Sequence, residues 1–203
     1  MTLTVGVLAS GSGTNLQALL DACASTTMPA RVAAVVCNVE GVRAIDRARK
    51  ADVPVYVVPH KTYPDRDAFE AQIQQHLEHH GVELLVLAGF MRLLTPTFTR
   101  RWNGRMINIH PSLLPAFQGL HAVRQALDYG VRWTGCTVHF VDEGTDTGPI
   151  IAQAIVPVKP DDREATLHAR IQTEEHRLLP EVVRLIANRQ IHLQGRHVHI
   201  DPA

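Results

Sequence analysis

The chain has 203 residues, 45% of them hydrophobic, enough to bury one sizeable core, and one globular domain is the expectation. Lys and Arg together number 20, as do Asp and Glu, which excludes the broad basic field that binds nucleic acid through its phosphates. No apolar run approaches the ~20 residues of a membrane span, and "MTLTVGVLAS" has no basic region ahead of its apolar run, so neither membrane insertion nor export is expected.

In chain order, "TVGVLAS", "RVAAVVCN", "VPVYVVP", "ELLVLAG" and "RMINIHP" read as strands, nearly all apolar as doubly buried parallel strands should be. Between them "TNLQALLDACA", "VRAIDRARKA", "DAFEAQIQQHLEHH" and "TPTFTRRWN" read as helices. A helix near "HAVRQALDYG" follows, then two β segments, "TGCTVHFV" and "PIIAQAIVPV", flanking the loop "DEGTDTG". A long helix is expected over about 163 to 189, capped by Asp161 or Asp162 and bent at Pro180, and "IHLQGRHVHI" closes the chain as a small hairpin. The alternation predicts an α/β fold with an open, doubly wound, mostly parallel sheet and a mixed C-terminal part. Cys23, Cys37 and Cys136 are odd in number and form no CxxC pair, which fits reduced thiols in the cytoplasm better than disulfides or a zinc site.

"LASGSGTNLQALL" runs from the first strand straight into the first helix, so Gly11 and Gly13 can bring bare backbone N–H groups to the positive end of that helix. The pattern is neither GxGxxG nor GxxxxGKS: no lysine serves a triphosphate, and Asn15 stands where a dinucleotide loop has its third glycine. One monophosphate fits better. The structural alternative is a glycine turn capped by Ser12 or Thr14.

"RMINIHPSLLP" drives an apolar strand into Asn108 and His110, then stiffens the exit with Pro111 and Pro115. Two apart on a strand, the amide and imidazole share a side and can meet one substrate atom at the strand's carboxyl end. Such a pair suits a developing oxyanion, as when an amine adds to a carbonyl. "VDEGTDTGPI" gathers Asp142, Glu143 and Asp146, and one of these carboxylates near His110 would favour its imidazolium form. The bland readings are a core histidine, a turn-forming asparagine and a solvated acidic turn. GxSxG is absent, so direct transfer without a covalent enzyme intermediate is expected.

"SGSGTNLQAL", "VLAGFMRLLTP", "INIHPSLLPAFQGLHAVRQAL", "GCTVHFVDEGTDTGPIIAQ" and "RIQTEEHRLLP" together closely resemble the phosphoribosylglycinamide formyltransferase family, in order and spacing, from about residue 3 to about residue 190. The resemblance implies a Rossmann-like formyltransferase fold in a single domain over 1–203, with a phosphate-binding half over 1–100 and a catalytic and folate-binding half over 101–203. It implies transfer of the formyl group of 10-formyltetrahydrofolate to the amine of 5'-phosphoribosylglycinamide in purine synthesis, with no metal, and a monomer or homodimer. By motif matching, His110 falls on the proton donor, Asn108 on the group that polarises the formyl oxygen, and Asp146 on the group that favours the imidazolium. Gly11, Ser12, Gly13, Thr14 and Asn15 fall on the ribonucleotide's phosphate loop, and Gln172, Thr173, Glu174 and Glu175 on the segment holding its ribose and amine end. Arg66, Met91, Arg92, Leu93, Leu94, Asn108 and the run Asp142, Glu143, Gly144, Thr145, Asp146 fall on the folate site. Thr145 replaces a usual aliphatic residue, which implies slightly altered folate affinity. Gly13→Val is expected to weaken ribonucleotide binding by crowding the phosphate.

Methionyl-tRNA formyltransferase shares a similar core and "SLLP", but usually has an arginine where this chain has Ala116, Phe117 and Gln118, and a second, basic domain. Formyltetrahydrofolate deformylase normally carries an extra amino-terminal domain. A noncatalytic phosphometabolite-binding regulator is disfavoured by the full catalytic set. His76, His79 and His80 sit at helical spacings, yet histidines late in a helix favour its negative end without a metal; the same holds little promise for His192, His197 and His199.

Overall fold

A computed structural model describes residues 2–202. Its contacts divide the chain into two units, one ending at Ile107 and the other beginning at Asn108.

In the first unit, β1 (Leu3–Ala9), β2 (Ala30–Cys37), β3 (Val55–Val57) and β4 (Leu84–Leu87) are joined through α1 (Thr14–Cys23), α2 (Arg43–Lys50) and α3 (Arg66–His79), with α4 (Pro96–Arg101) after β4. β1 pairs in parallel with β2 and β4, and β2 with β3, the outcome expected when each connection carries a helix. Val5, Val7, Leu8, Val35, Val36, Leu85 and Val86 are wholly buried, so these strands read as continuous apolar runs. The expected strand "VPVYVVP" shrinks to three residues because it pairs only with β2, between Pro54 and Pro59. α3 starts on an Asp65 cap, whose side chain accepts from Ala68 N at 2.8 Å, and α4 on a Thr95 cap followed by Pro96. Thr95 donates from its backbone N to buried Glu70 at 2.7 Å, and burial pushes the Glu70 carboxyl above its ordinary value.

β5 (Met106–His110) contains the division between the units. The second unit continues with α5 (Ala122–Tyr129), the antiparallel pair β6 (Trp133–Phe140) and β7 (Ile150–Pro157), α6 (Glu164–Ala187) and the hairpin β8 (Ile191–Gln194) and β9 (His197–Ile200). α6 packs on β6 and β7, burying Leu167, Ile171, Leu178, Leu179, Val182 and Val183 on one stripe. It begins differently from the expectation: Arg163 is the cap residue, its backbone N–H donating to Thr166 Oγ1 at 2.9 Å. Asp162 instead braces the first turn, accepting from Thr166 Oγ1 at 3.0 Å and from both ends of the Arg170 fork at 2.8 Å. The Arg170 guanidinium holds that carboxyl far below the usual range. The helix continues through Pro180, whose missing N–H costs one intrahelical bond.

Strands β1 to β7 form one sheet in the order β3-β2-β1-β4-β5-β6-β7, and β8 and β9 form a separate pair. The order turns back on itself between β1 and β4, the switch point where open α/β sheets bind ligands. The expected doubly wound, mostly parallel sheet with a mixed C-terminal part is the observed fold.

Candidate active site

The end of β5 places Asn108 and His110 on one side, and the loop between β6 and β7 brings Asp146 to both. His110 Nδ1 lies 3.3 Å from Asp146 Oδ2, and Asn108 Nδ2 donates to Asp146 Oδ1 at 3.3 Å. The three candidate catalytic residues, spread over 38 positions of sequence, are one constellation, with His110 buried and Asn108 and Asp146 half-buried. A fourth member was not foreseen. His139 on β6, only 2% exposed, lies with Nε2 3.2 Å from Asn108 Nδ2 and 3.6 Å from Asp146 Oδ1. Its Nδ1–H donates to Phe140 O at 2.8 Å, and Nε2 faces both the Asn108 amide and the Asp146 carboxylate. The signal for His139 is weak in sequence: two places after Thr137 in an apolar strand, it passes for a core histidine.

Both amide hydrogens of Asn108 are therefore directed at protein partners, and the atom it can offer a ligand is Oδ1. Both nitrogens of His110 likewise face acceptors, since Nε2 lies 2.8 Å from Phe117 O. Burial draws the His110 imidazole below its ordinary pKa; Asp146 and the Phe117 carbonyl act in the opposite sense without cancelling it. Burial alone would raise Asp146, but the His139 and His110 imidazoles and the Gly119 N–H outweigh it and hold the carboxyl below its ordinary value. A carboxylate that stays ionised beside a desolvated imidazole is the arrangement that keeps a proton available there. His139→Phe, which removes the acceptor for the Asn108 amide, is expected to lower kcat about tenfold, the scale of one lost hydrogen bond, with the melting temperature near wild type. An unchanged kcat in steady-state assays would show that the Asn108 orientation does not depend on this imidazole.

The segment after His110 is held by Thr137, wholly buried on β6. Its hydroxyl donates to Ser112 O at 2.7 Å and accepts from Leu114 N at 3.1 Å and Gln153 Nε2 at 2.9 Å. The Leu114–Pro115 peptide is cis, and Phe117 has a φ of 56°. The loop then closes over the carboxylate: Gly119 N donates to Asp146 Oδ2 at 2.8 Å and Gln118 Nε2 to Asp146 O at 3.1 Å. Within the acidic loop, Asp142 Oδ1 accepts from Gly144 N at 3.1 Å and Thr147 Oγ1 at 2.6 Å, shaping the turn that contains Glu143 and Thr145.

In the first unit, Gly11 to Asn15 form the exit from β1 into α1, at the switch point between β1 and β4. Neither Ser12 nor Thr14 caps the helix; Gly13 is the cap residue, with φ 67° and no side-chain bond. A Cβ on Gly13 would lie 2.8 Å from Cα and Cβ of Ala44 on α2, so glycine is required there by packing and by the left-handed backbone. Gly13→Val is thus expected to lower the melting temperature, whatever it does to ligand. Gly11 is the cleaner probe, because a Cβ there meets nothing within 4 Å. Gly11→Ala is expected to weaken binding of a phosphate-bearing ligand with the melting temperature unchanged; an unaltered affinity for such a ligand would exclude a binding role for this loop. Arg47 on α2 steadies the loop, donating from Nε to Ser12 O at 2.8 Å and from Nη1 to Gln17 Oε1 at 3.0 Å. Ser10 joins the two sides of the switch point: its hydroxyl donates to buried Asn38 Oδ1 at 2.6 Å and accepts from Met91 N at 2.8 Å. Arg47, Ser10 and Asn38 carry no local motif and were not anticipated.

Of the other candidates in that unit, Arg66 opens α3, and Met91, Arg92 and Leu93 follow β4 with exposed side chains, Leu94 being half-buried. Two neighbouring apolar side chains, Met91 and Leu93, each 64% exposed, form a surface that an apolar ligand would cover. In the second unit, Gln172, Thr173, Glu174 and Glu175 lie midway along α6. Glu174 accepts from Arg177 Nε at 3.1 Å, and Glu175 is buried. Burial, with Glu175 next in effect, pushes the Cys136 thiol up to about 12, and burial pushes Cys37 up to about 11. The histidines at the end of α3 have partners of their own: His76 stacks on Tyr56 with ring centroids 3.8 Å apart, and Nε2 of His80, the residue that caps the helix, lies 2.7 Å from the Tyr56 hydroxyl.

A doubly wound sheet with an amide, imidazole and carboxylate assembled at a strand end suits an α/β enzyme of group transfer, and the chain belongs to the formyl transferase family, whose model matches residues 3–183. Phosphoribosylglycinamide formyltransferase of Mycobacterium tuberculosis (strain ATCC 25618 / H37Rv) is 50% identical over 94% of this chain and 87% of its own length. The trifunctional purine biosynthetic protein adenosine-3 of Drosophila pseudoobscura pseudoobscura is 49% identical over 91% of this chain, which spans 14% of that much longer protein. The crystal structure of glycinamide ribonucleotide transformylase 1 from Symbiobacterium toebii superposes with a TM-score of 0.97 at 48% identity, covering 99% of this chain and 95% of the other.

Proposed function

We propose that this chain, as a single formyltransferase domain, transfers the formyl group of 10-formyltetrahydrofolate to the amine of 5'-phosphoribosylglycinamide in de novo purine biosynthesis. The observation that carries the reading is the contact of His110 and Asn108 with one ionised carboxylate, Asp146, in a chain half identical to a protein bearing that name. The substrate amine attacks the formyl carbon, a C–N bond forms, and the carbonyl electron pair moves to oxygen. Collapse of the tetrahedral intermediate breaks the bond to N10 of the folate; the attacking nitrogen gives up one proton and N10 leaves with one, so the transfer balances.

Each side chain has a part suited to its surroundings. His110 Nε2–H meets Phe117 O at 2.8 Å, and a formyl oxygen taking the place of that carbonyl would receive the same proton as negative charge develops. Asp146 favours the protonated ring. The resemblance gives Asn108 the part of polarising the formyl oxygen, which needs an N–H; with both hydrogens engaged by Asp146 and His139, its Oδ1 is suited to accept an N–H of the attacking amine and aim the lone pair. The backbone N–H groups of Gly11 to Asn15 suit the ribonucleotide's phosphate, and the exposed Met91 and Leu93 suit the apolar face of a pterin. Gln172 to Glu175 take the ribose and amine end, and Arg66, Arg92, Leu94 and Asp142 to Thr145 the folate, by the family motifs. Groups of three or more His, Cys, Asp or Glu placed to hold a metal ion are lacking among the described residues, and no helix among them is long and apolar enough to cross a membrane. The three unpaired cysteines suit a reducing compartment, and the cytoplasm is the proposed location.

Formyl transfer measured with glycinamide ribonucleotide, methionyl-tRNA and water as competing acceptors tests the assignment. Product on the ribonucleotide alone is expected; release of formate or formylation of the tRNA at comparable rates would move the chain to another branch of the family.

A further inference from the structure

We infer that Arg196, in the turn of the C-terminal hairpin, is a positioning residue that holds Asp146 against His110. This rests on the proposed function only for its kinetic consequence. Asp146 has a φ of 53°, a left-handed conformation that costs a residue with a Cβ some free energy, aspartate less than most, and that its surroundings help to hold. If that backbone relaxed, the carboxylate would swing off both His110 and Asn108. The bonds from Asp142 to Gly144 and Thr147 shape the acidic loop from within, and Gln118 reaches Asp146 O from another loop. Arg196 is an anchor from outside both. Its Nη1 and Nη2 donate to the carbonyl oxygen of Thr147, the next residue, at 2.9 and 2.7 Å. A cation with two N–H groups on one carbonyl fixes the peptide plane that follows Thr147 and so restrains the backbone one residue beyond Asp146, on which the direction of that side chain depends.

The hairpin is built to hold Arg196 at that distance. Gln190 leaves α6 with its N–H on Leu185 O at 3.0 Å, and Asp201 N donates to Gln190 O at 2.9 Å, closing the base. His192 Nε2 meets Asp201 Oδ2 at 2.8 Å across the strands, β9 packs on β7, and Gly195, with φ 60°, turns the chain one residue before Arg196. The hairpin lies beyond residues 3–183, the part the family model matches, so the family motifs give it no task.

The test uses the full chain with Arg196→Ala and Arg196→Lys. Without substrate, the His110 imidazole is titrated by NMR and exchange of the Thr145 to Thr147 amides is followed. The charged and titratable groups facing that ring are Asp146 and His139, of which only Asp146 is bound to the loop. Arg196→Ala is expected to lower the His110 midpoint toward that of Asp146→Asn and to speed amide exchange, with the melting temperature held, since Arg196 is exposed. It is expected to lower kcat about fivefold and leave the ribonucleotide KM unchanged, on the scale of one partly exposed charged hydrogen bond. Arg196→Lys, which keeps one donor and the charge, should recover part of each effect. An unaltered titration and unaltered exchange in a folded Arg196→Ala protein would overturn the inference, and so would an effect confined to the melting temperature. A wild-type chain inactive toward the ribonucleotide would refute the proposed function while leaving the NMR result to decide the role of Arg196.

Discussion

His110→Ala is expected to lower kcat by more than about a hundredfold, the range in which a general acid is lost, while the protein stays folded. The imidazole is 5% exposed, and its removal leaves a small cavity and two acceptors, Phe117 O and Asp146 Oδ2, short of a donor. Asp146 Oδ2 keeps the Gly119 N–H and Oδ1 keeps Asn108, so the structural loss is about 1–3 kcal/mol, the cost of a buried acceptor left unmade. Activity should fall far more than stability. Steady-state turnover and a thermal melt on the same preparation check this; near-normal turnover would exclude His110 as the proton donor.

Asp146→Asn should cost a similar factor for a different reason. Burial disfavours the charged imidazole at His110, and Asp146 acts against it. Without the carboxylate, burial acts unopposed by it and the His110 pKa falls further. With the protonated ring as the proposed donor, activity is lost as pH rises through that pKa, so the alkaline limb of kcat in the variant is expected to move to lower pH. The amide also turns one N–H donor toward His110, Gly119 or Asn108, each of which already presents a donor to this carboxylate. A linked effect on stability has a definite sign. The Asp146 carboxyl sits below its ordinary value when folded, so its contribution is present above the unfolded pKa and lost as pH falls through the folded one. The stability gap between wild type and variant should therefore narrow in acid. A pH–rate profile of Asp146→Asn with an unmoved alkaline limb would separate the carboxylate from the imidazole.

Much of the fold is legible because its signals are local. β1, β2 and β4 are buried on both faces over most of their length and therefore mostly apolar, with Thr4 and the exposed Arg31 near the starts of β1 and β2, and the helices between them carry their own periodicity. The trio was legible for a related reason: Asn108 and His110 break an apolar strand at its carboxyl end, and Asp146 sits in a glycine-rich turn between two strands. What escaped depends on partners distant in sequence. His139 looks like core until β6 is seen to bring its Nε2 to Asn108, 31 positions away. Arg47 reaches Ser12 O across 35 positions, and Arg196 reaches Thr147 across 49, so nothing beside either arginine announces its target. In sequence Gly13 points to a ligand, whereas Ala44 on α2 already forbids a side chain there. Asp162 has the place of a cap, as acidic residues before a helix often do, and Arg170 two turns on claims it instead.

Initial rates with 10-formyltetrahydrofolate and glycinamide ribonucleotide both varied address the central claim, direct formyl transfer at the His110 and Asp146 pair. Reciprocal plots that intersect, with formylated ribonucleotide accumulating as folate is released, are the predicted result. Parallel lines, which require a formyl-enzyme, or no ribonucleotide-dependent rate at all, would contradict it.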